Sequence, residues 1–179
     1  MNNKKLSKTL SYLLRHRPDK IGLQLDQEGW ADIDALLLLL SKNGQEASFT
    51  QLQQVVTEND KQRFTLNVEQ RKIRANQGHS IDIDLGLDKK VPPAILYHGT
   101  AQRFVPSIKR TGLDKRNRHH VHLSDNKATA QNVGSRHGKV VVLEIDTQCV
   151  IAAGYDFYQS DNGVWLVDAV PLEGISFPN

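Results

Sequence analysis

Lys72-Ile73-Arg74-Ala75-Asn76-Gln77-Gly78-His79-Ser80 begins as a strand and ends in a turn. Alternation along its first half points Arg74 off one face of the ribbon. The four residues after Asn76 then supply an amide, a flexible backbone, an imidazole and a hydroxyl. A glycine there lets backbone N–H groups come close to a ligand. Arginine, free N–H groups and a hydroxyl together are a phosphate-holding set. The same stretch also reads as a polar exit from a hairpin, and its neighbours must decide between the two.

Upstream, Leu6, Leu10, Leu13 and Leu14 recur at helical spacing, so residues 4–16 form an amphipathic helix that Pro18 stops. Trp30-Ala31 reads as a short strand. Asp32 caps a helix through Leu40 that Gly44 closes, and Ser48 or Thr50 caps a third helix to about Glu58. Residues 63–66 and 71–75 alternate as the two strands of a hairpin. Three helices and a hairpin, in that order, are the order of a winged helix. Many such domains bind nucleic acid and many bind only protein, so the order alone assigns no function.

Asp82, Asp84, Asp88, Pro92 and Pro93 mark an acidic, proline-ended linker. It divides the chain into residues 1–90 and 91–179. The second half reads mostly as strands: 94–98, 120–123, 139–145, 149–152, 155–159 and 164–167. Helices are expected over 101–110 and from a cap at Ser124 or Asp125 to about Arg136. The fold class is α+β, two lobes in one chain.

The totals bound the chemistry. With 179 residues and 39% hydrophobic residues the chain can bury a core. A single cysteine, Cys149, excludes an internal disulfide and the paired-cysteine zinc frameworks. No apolar run is long enough to span a membrane, and the first residues lack the apolar stretch of a signal peptide. The expectation is a soluble cytoplasmic protein with no membrane association and no obligate protein partner. Net charge is only +3, but it is unevenly spread. Residues 1–20, 61–80 and 101–120 hold 17 of the 23 basic side chains and 3 of the 20 acidic ones. Brought together, these stretches make a positive cleft for a phosphate-rich partner; apart, they are three solvated faces.

No GxGxxG follows a strand, no GxxxxGK[ST] exists and nothing marks a nucleophile elbow. His120 and His122 share a strand face, but no carboxylate stands at ligand spacing and Arg118 would repel a cation, so no metal is expected. Arg15-His16 at a helix end also satisfies a helix dipole, and His98-Gly99-Thr100 at a strand end also reads as a core histidine and a turn.

Five motifs in order carry more than any one of them. Leu6-Ser-Lys-x-Leu-Ser-x-x-Leu-Arg-His16, Ile73-Arg-Ala-x-Gln-Gly-His-Ser80, Tyr97-His-Gly-Thr100, Arg118-x-His-Val-His-Leu-Ser124 and Asn162-Gly-Val-Trp-Leu166 resemble the NAD-dependent RNA 2′-phosphotransferases, the KptA family. The match covers nearly the whole chain and no key position departs from it. The resemblance implies an N-terminal winged-helix-like RNA lobe and a C-terminal ADP-ribosyltransferase-like NAD lobe. It implies removal of an internal 2′-phosphate from tRNA-like RNA, with NAD⁺ as acceptor and co-substrate and an ADP-ribosylated RNA 2′-phosphate on the way. The products are nicotinamide, RNA with a 2′-OH and ADP-ribose 1″,2″-cyclic phosphate. It assigns Arg15, His16, Arg74 and Arg118 to the phosphate, with Lys8, Gln77, Gly78, His79 and Ser80 beside the RNA. It assigns His98, Gly99, Thr100, His122, Ser124 and Arg136 to NAD⁺. Val164 falls where relatives acting on protein often carry a catalytic Glu, and a carboxylate there would repel an incoming phosphate. Two other readings use the same residues: an ADP-ribosyltransferase acting on nucleic-acid ends or protein, and a winged-helix RNA binder without catalysis.

Overall fold

The computed structural model describes residues 1–178 and divides into two compact units, residues 1–86 and residues 87 onward. The architecture is α+β.

In the first unit, helix α1 (Asn3–Arg15) is capped by the Asn2 side chain, which accepts from Lys5 N–H. Its leucines at 6, 10, 13 and 14 are all buried, as the spacing dictates. A 3₁₀ turn at Pro18–Ile21 follows. Strand β1 (Ala31–Asp32) leads into α2 (Ile33–Lys42), where the Asp32 carboxylate accepts from Ala35 N–H. Ser48 caps α3 (Phe49–Thr57) in the same way. Strands β2 (Phe64–Asn67) and β3 (Lys72–Ala75) pair as the expected hairpin, with Thr65 opposite Arg74, and β1 adds to the far edge of β3. Ile73 and Ala75 point into the core shared with Leu36, Leu40 and Leu52, and Arg74 points the other way.

The second unit starts before Lys90. Lys90 N–H already bonds the Phe157 carbonyl, and Lys89 bridges to Tyr158. Strand β4 (Ile95–Ala101) is followed by a 3₁₀ turn and α4 (Val105–Thr111), then β5 (Leu113–Asp114), β6 (Val121–Leu123) and α5 (Lys127–Gly134). Next come β7 (Val140–Asp146), α6 (Thr147–Ala152), β8 (Phe157–Gln159), β9 (Trp165–Val167), β10 (Ala169–Val170) and β11 (Ile175–Ser176). Among the described residues this gives three antiparallel sheets, ordered β11-β7-β4, β6-β9-β8 and β10-β5. Leu96, Leu143, Ile145, Phe157 and Val167 lie in one apolar core.

Four expectations are corrected. Residues 149–152 are helix, not strand, because the Asp146 carboxylate accepts from Gln148 and Cys149 N–H and starts α6. The helix expected over 101–110 begins only at Val105, because β4 keeps its pairing with β7 through Ala101. Neither Ser124 nor Asp125 caps α5; Asn126 does, accepting from Thr129 N–H. That helix ends at Gly134, and Arg136 belongs to a separate 3₁₀ turn, Ser135–His137. No helix among the described residues is long and apolar enough to cross a membrane.

Candidate active site

The candidate residues fall into two clusters, one in each unit.

In the first unit, the C-terminus of α1 is tied to the exit of the β2–β3 hairpin. Ser80 N–H donates to the Arg15 carbonyl at 2.9 Å, and the Ser80 hydroxyl lies 2.9 Å from His16 Nδ1. Gly78 makes this return possible: its φ of 85° is in the left-handed region. The Arg74 guanidinium lies 4.7 Å over the Trp30 ring, which fixes its plane. Asn76 stiffens the turn: Thr65 Oγ1 donates to Asn76 Oδ1, and Asn76 Nδ2 donates to the Gln62 carbonyl. Arg15, His16, Gln77 and Gly78 are half-buried or buried and Ser80 is exposed. His79 is buried at 1% exposure. Its ring is shielded from solvent.

In the second unit, β4 and β6 meet through one bridge, Tyr97 with Ser124, in place of a ladder. Beyond the bridge a pocket of about 740 Å³ opens, lined by Tyr97, His98, Thr100, Arg118, His122 and Ser124 among others. His98 Nδ1 lies 3.0 Å from the His122 carbonyl. A carbonyl only accepts, so Nδ1 carries the proton. Burial pushes the His98 imidazole below its ordinary value, the bond to His122 opposes this, and the charge of Arg118 adds to it. A neutral His98 leaves Nε2 as an acceptor. Such a ring, with the Thr100 hydroxyl beside it, suits the hydroxyl and amide groups of a dinucleotide, so the residues present fit NAD⁺.

Not every expected residue reaches the pocket. Arg136 is exposed on its turn, and His137 next to it contributes to the wall instead. Ser124 holds the bridge to Tyr97 by both backbone bonds while its hydroxyl accepts from Asn126 N–H. Gly99 borders the pocket, but its hydrogen faces the backbone of α5. Val164 precedes β9, and its carbonyl accepts from both the backbone N–H and the hydroxyl of Ser160. Phe104 and His120 also line the pocket; the sequence marked His120 only as a metal candidate and as part of the fourth motif, and did not mark Phe104. Phe104 is bracketed by two guanidiniums, Arg103 at 4.8 Å and Arg116 at 5.8 Å. An Arg-Phe pair 103–104 was the available signal. The His120 imidazole is also held below its ordinary value by burial, and packs 5.7 Å from Tyr158.

Residues 1–169 match the family model of the RNA 2′-phosphotransferase, Tpt1 / KptA family. The chain belongs to this family. Relatives agree over almost their whole length. A "Probable RNA 2′-phosphotransferase" of Pseudomonas fluorescens is 55% identical over 167 residues, covering 93% of this chain and 92% of the relative. Proteins of the same description from Burkholderia pseudomallei and Fusobacterium nucleatum are 52% and 49% identical. They cover 96% and 98% of this chain, and 94% and 99% of their own lengths. The family is that of a transferase acting on RNA, so the two clusters belong to an enzyme.

The histidines make the fold sensitive to acid. His98 and His120 have lowered values when folded and an ordinary value of 6.5 when unfolded. Between these limits the unfolded chain binds more protons, so their contribution to stability is complete above pH 6.5 and is lost as the pH falls below it. Unfolding free energy measured in denaturant at pH 7 and pH 5.5 should drop for the wild type and drop less for His98→Asn. Asparagine can keep a donor to the His122 carbonyl and does not titrate. Equal drops in both proteins would show that His98 is not held neutral.

Proposed function

We propose that the protein removes an internal 2′-phosphate from RNA by transferring it to NAD⁺. The observation that carries this reading is that Arg118 lines the same pocket as His98 and His122, close enough to bear on the titration of His98. A guanidinium therefore borders a cavity whose acceptor and hydroxyl groups suit a dinucleotide, and about 740 Å³ is within the usual range for such sites.

NAD⁺ is consumed as a substrate and supplies an electrophilic ribose carbon with nicotinamide as its leaving group. The RNA 2′-phosphate is largely dianionic at pH 7, since its second pKa is about 6. Its oxygen bonds that carbon as the bond to nicotinamide breaks, and no general base is needed. The adjacent ribose hydroxyl then gives up its proton and attacks the phosphorus. The bond to the RNA 2′-oxygen breaks, that oxygen takes a proton, and ADP-ribose 1″,2″-cyclic phosphate leaves. Arg15, Arg74 and Arg118 are assigned to the phosphate oxygens, where planar guanidiniums make bidentate bonds. His16, fixed at the helix end beside Ser80, is assigned to the leaving RNA oxygen. His98, Thr100 and His122 are assigned to NAD⁺. The first unit is then a winged-helix-like RNA lobe and the second an ADP-ribosyltransferase-like lobe.

The test is incubation with a 2′-phosphorylated oligonucleotide, with and without NAD⁺, and identification of every product. The expected result is RNA with a 2′-OH, nicotinamide and the cyclic phosphate, all dependent on NAD⁺. ADP-ribosylated RNA as the sole end product would make the protein an ADP-ribosyltransferase of nucleic acid. RNA binding without NAD⁺ turnover would overturn both.

A further inference from the structure

A groove of about 510 Å³ runs along the polar face of α1, away from the core. Lys4, Lys8, Tyr12 and His16 line it at four-residue intervals, so they form one stripe along the helix. At ~1.5 Å per residue, Lys8 lies ~12 Å and Lys4 ~18 Å from His16 along the helix axis. Arg63, just before β2, also lines the groove. Its Nη1 donates to the Asn59 side-chain oxygen at 3.1 Å, and Asn59 in turn donates to the Ser7 hydroxyl on α1. Neutral amide contacts thus fix Arg63 beside α1 with its charge intact. Glu58 and Asp60 line the adjoining depression and bound the cationic stretch at that end.

Tyr12 is the unusual member. It is a large aromatic residue, 44% exposed, set between Lys8 and His16 in the stripe on a helix whose leucines are all buried. Exposed aromatic rings interleaved with cations are how proteins hold single-stranded nucleic acid: the cations track phosphates and the ring stacks a base. The stripe also ends at His16, the residue assigned to the leaving RNA oxygen. We infer that this groove seats the single-stranded RNA flanking the 2′-phosphorylated nucleotide. Its phosphodiesters lie at Lys4, Lys8 and Arg63, and a base stacks on Tyr12. The inference rests on the proposed function and extends it: the protein holds a short length of RNA beyond the junction, without reading its sequence.

The experiment compares two 2′-phosphorylated RNAs, a dinucleotide and an octanucleotide with the junction at its centre. Wild-type protein should turn over the octanucleotide with at least about a tenfold lower KM. Tyr12→Ala and the pair Lys4→Ala with Arg63→Gln should each remove most of that advantage, leaving kcat and the dinucleotide KM unchanged. Raising salt from about 50 to 200 mM should weaken octanucleotide binding less in the double variant, by about 0.7 in logarithmic slope for each phosphate that is no longer neutralised. Equal losses on both RNAs would assign these residues to folding or catalysis and overturn the inference. So would unchanged KM on both, which would leave the groove to a partner other than RNA. Failure of the wild type on both RNAs would instead defeat the proposed function, so the two failures are distinct.

Discussion

Gly99→Ala should abolish folding of the second unit. A Cβ built at Gly99 falls 1.7 Å from the Ala130 carbonyl oxygen and 2.9 Å from Gly134 N. Both are backbone atoms of α5, so no side-chain rotation relieves the clash. Relief requires α5 to lift from β4, and Ala130 and Gly134 are both buried there. The contact is mutual, because a Cβ at Gly134 would lie 2.9 Å from both Gly99 C and Thr100 N. Core overpacking ordinarily costs ~1–3 kcal/mol, and a clash with two backbone segments falls in the exceptional class above ~4 kcal/mol. Gly44→Ala separates this from a general glycine effect. Gly44 has φ 70° and nothing within 4 Å of a built Cβ, so alanine there costs only the ~1–2 kcal/mol of left-handed backbone. The measurement is soluble yield and denaturant unfolding of the full chain. Wild-type-like unfolding of Gly99→Ala would mean that α5 does not cross β4 as closely as described.

The same glycine shows how far the sequence could be read. His98-Gly99-Thr100 was read as a strand end; the strand runs on through Ala101, and all three residues line the pocket. What Gly99 does was not legible. Its partner is Gly134, thirty-five residues on, and nothing local says that a helix backbone crosses there. The helical leucines of α1 and the caps Asp32 and Ser48 were readable because each depends on neighbours within one or two turns. Residues 149–152 were misread because Cys-Val-Ile-Ala is an apolar run of strand type, and the decisive signal was the Asp146 cap before it. The burial of His79 was not legible for the opposite reason: it stands among polar residues in sequence, yet the turn at Gly78 folds it inward. Ser80 was grouped with the phosphate ligands. Its bonds to Arg15 and His16 join residues sixty-four positions apart in the case of His16, which no local pattern shows. The role of Phe104 was hidden because a single aromatic residue among basic ones has no periodicity to mark it.

Arg118→Ala and Arg74→Ala should separate the two chemical steps. In the first step of the proposed reaction the phosphate is the nucleophile. It arrives with its charge formed, and the leaving nicotinamide departs neutral. In the second step the phosphorus is attacked, negative charge builds on its oxygens, and an RNA alkoxide must be expelled. Guanidiniums held in place before reaction stabilise that developing charge most. Arg74 is held in this way, its plane set by the Trp30 ring at 4.7 Å. Arg118 is on a turn closed by its own N–H to the Lys115 carbonyl. Removing one charge-assisted hydrogen bond worth ~3 kcal/mol slows a step about a hundredfold. The second step should bear most of this, so each alanine variant, given 2′-phosphorylated RNA and NAD⁺, should accumulate ADP-ribosylated RNA. Lysine at either position should restore only part of the rate, because it cannot make the planar bidentate contact. A single-turnover time course that resolves substrate, adduct and product RNA decides the matter. If adduct and product formation fall in equal proportion, the arginines act in binding or in the first step, and the second step draws its charge stabilisation from elsewhere.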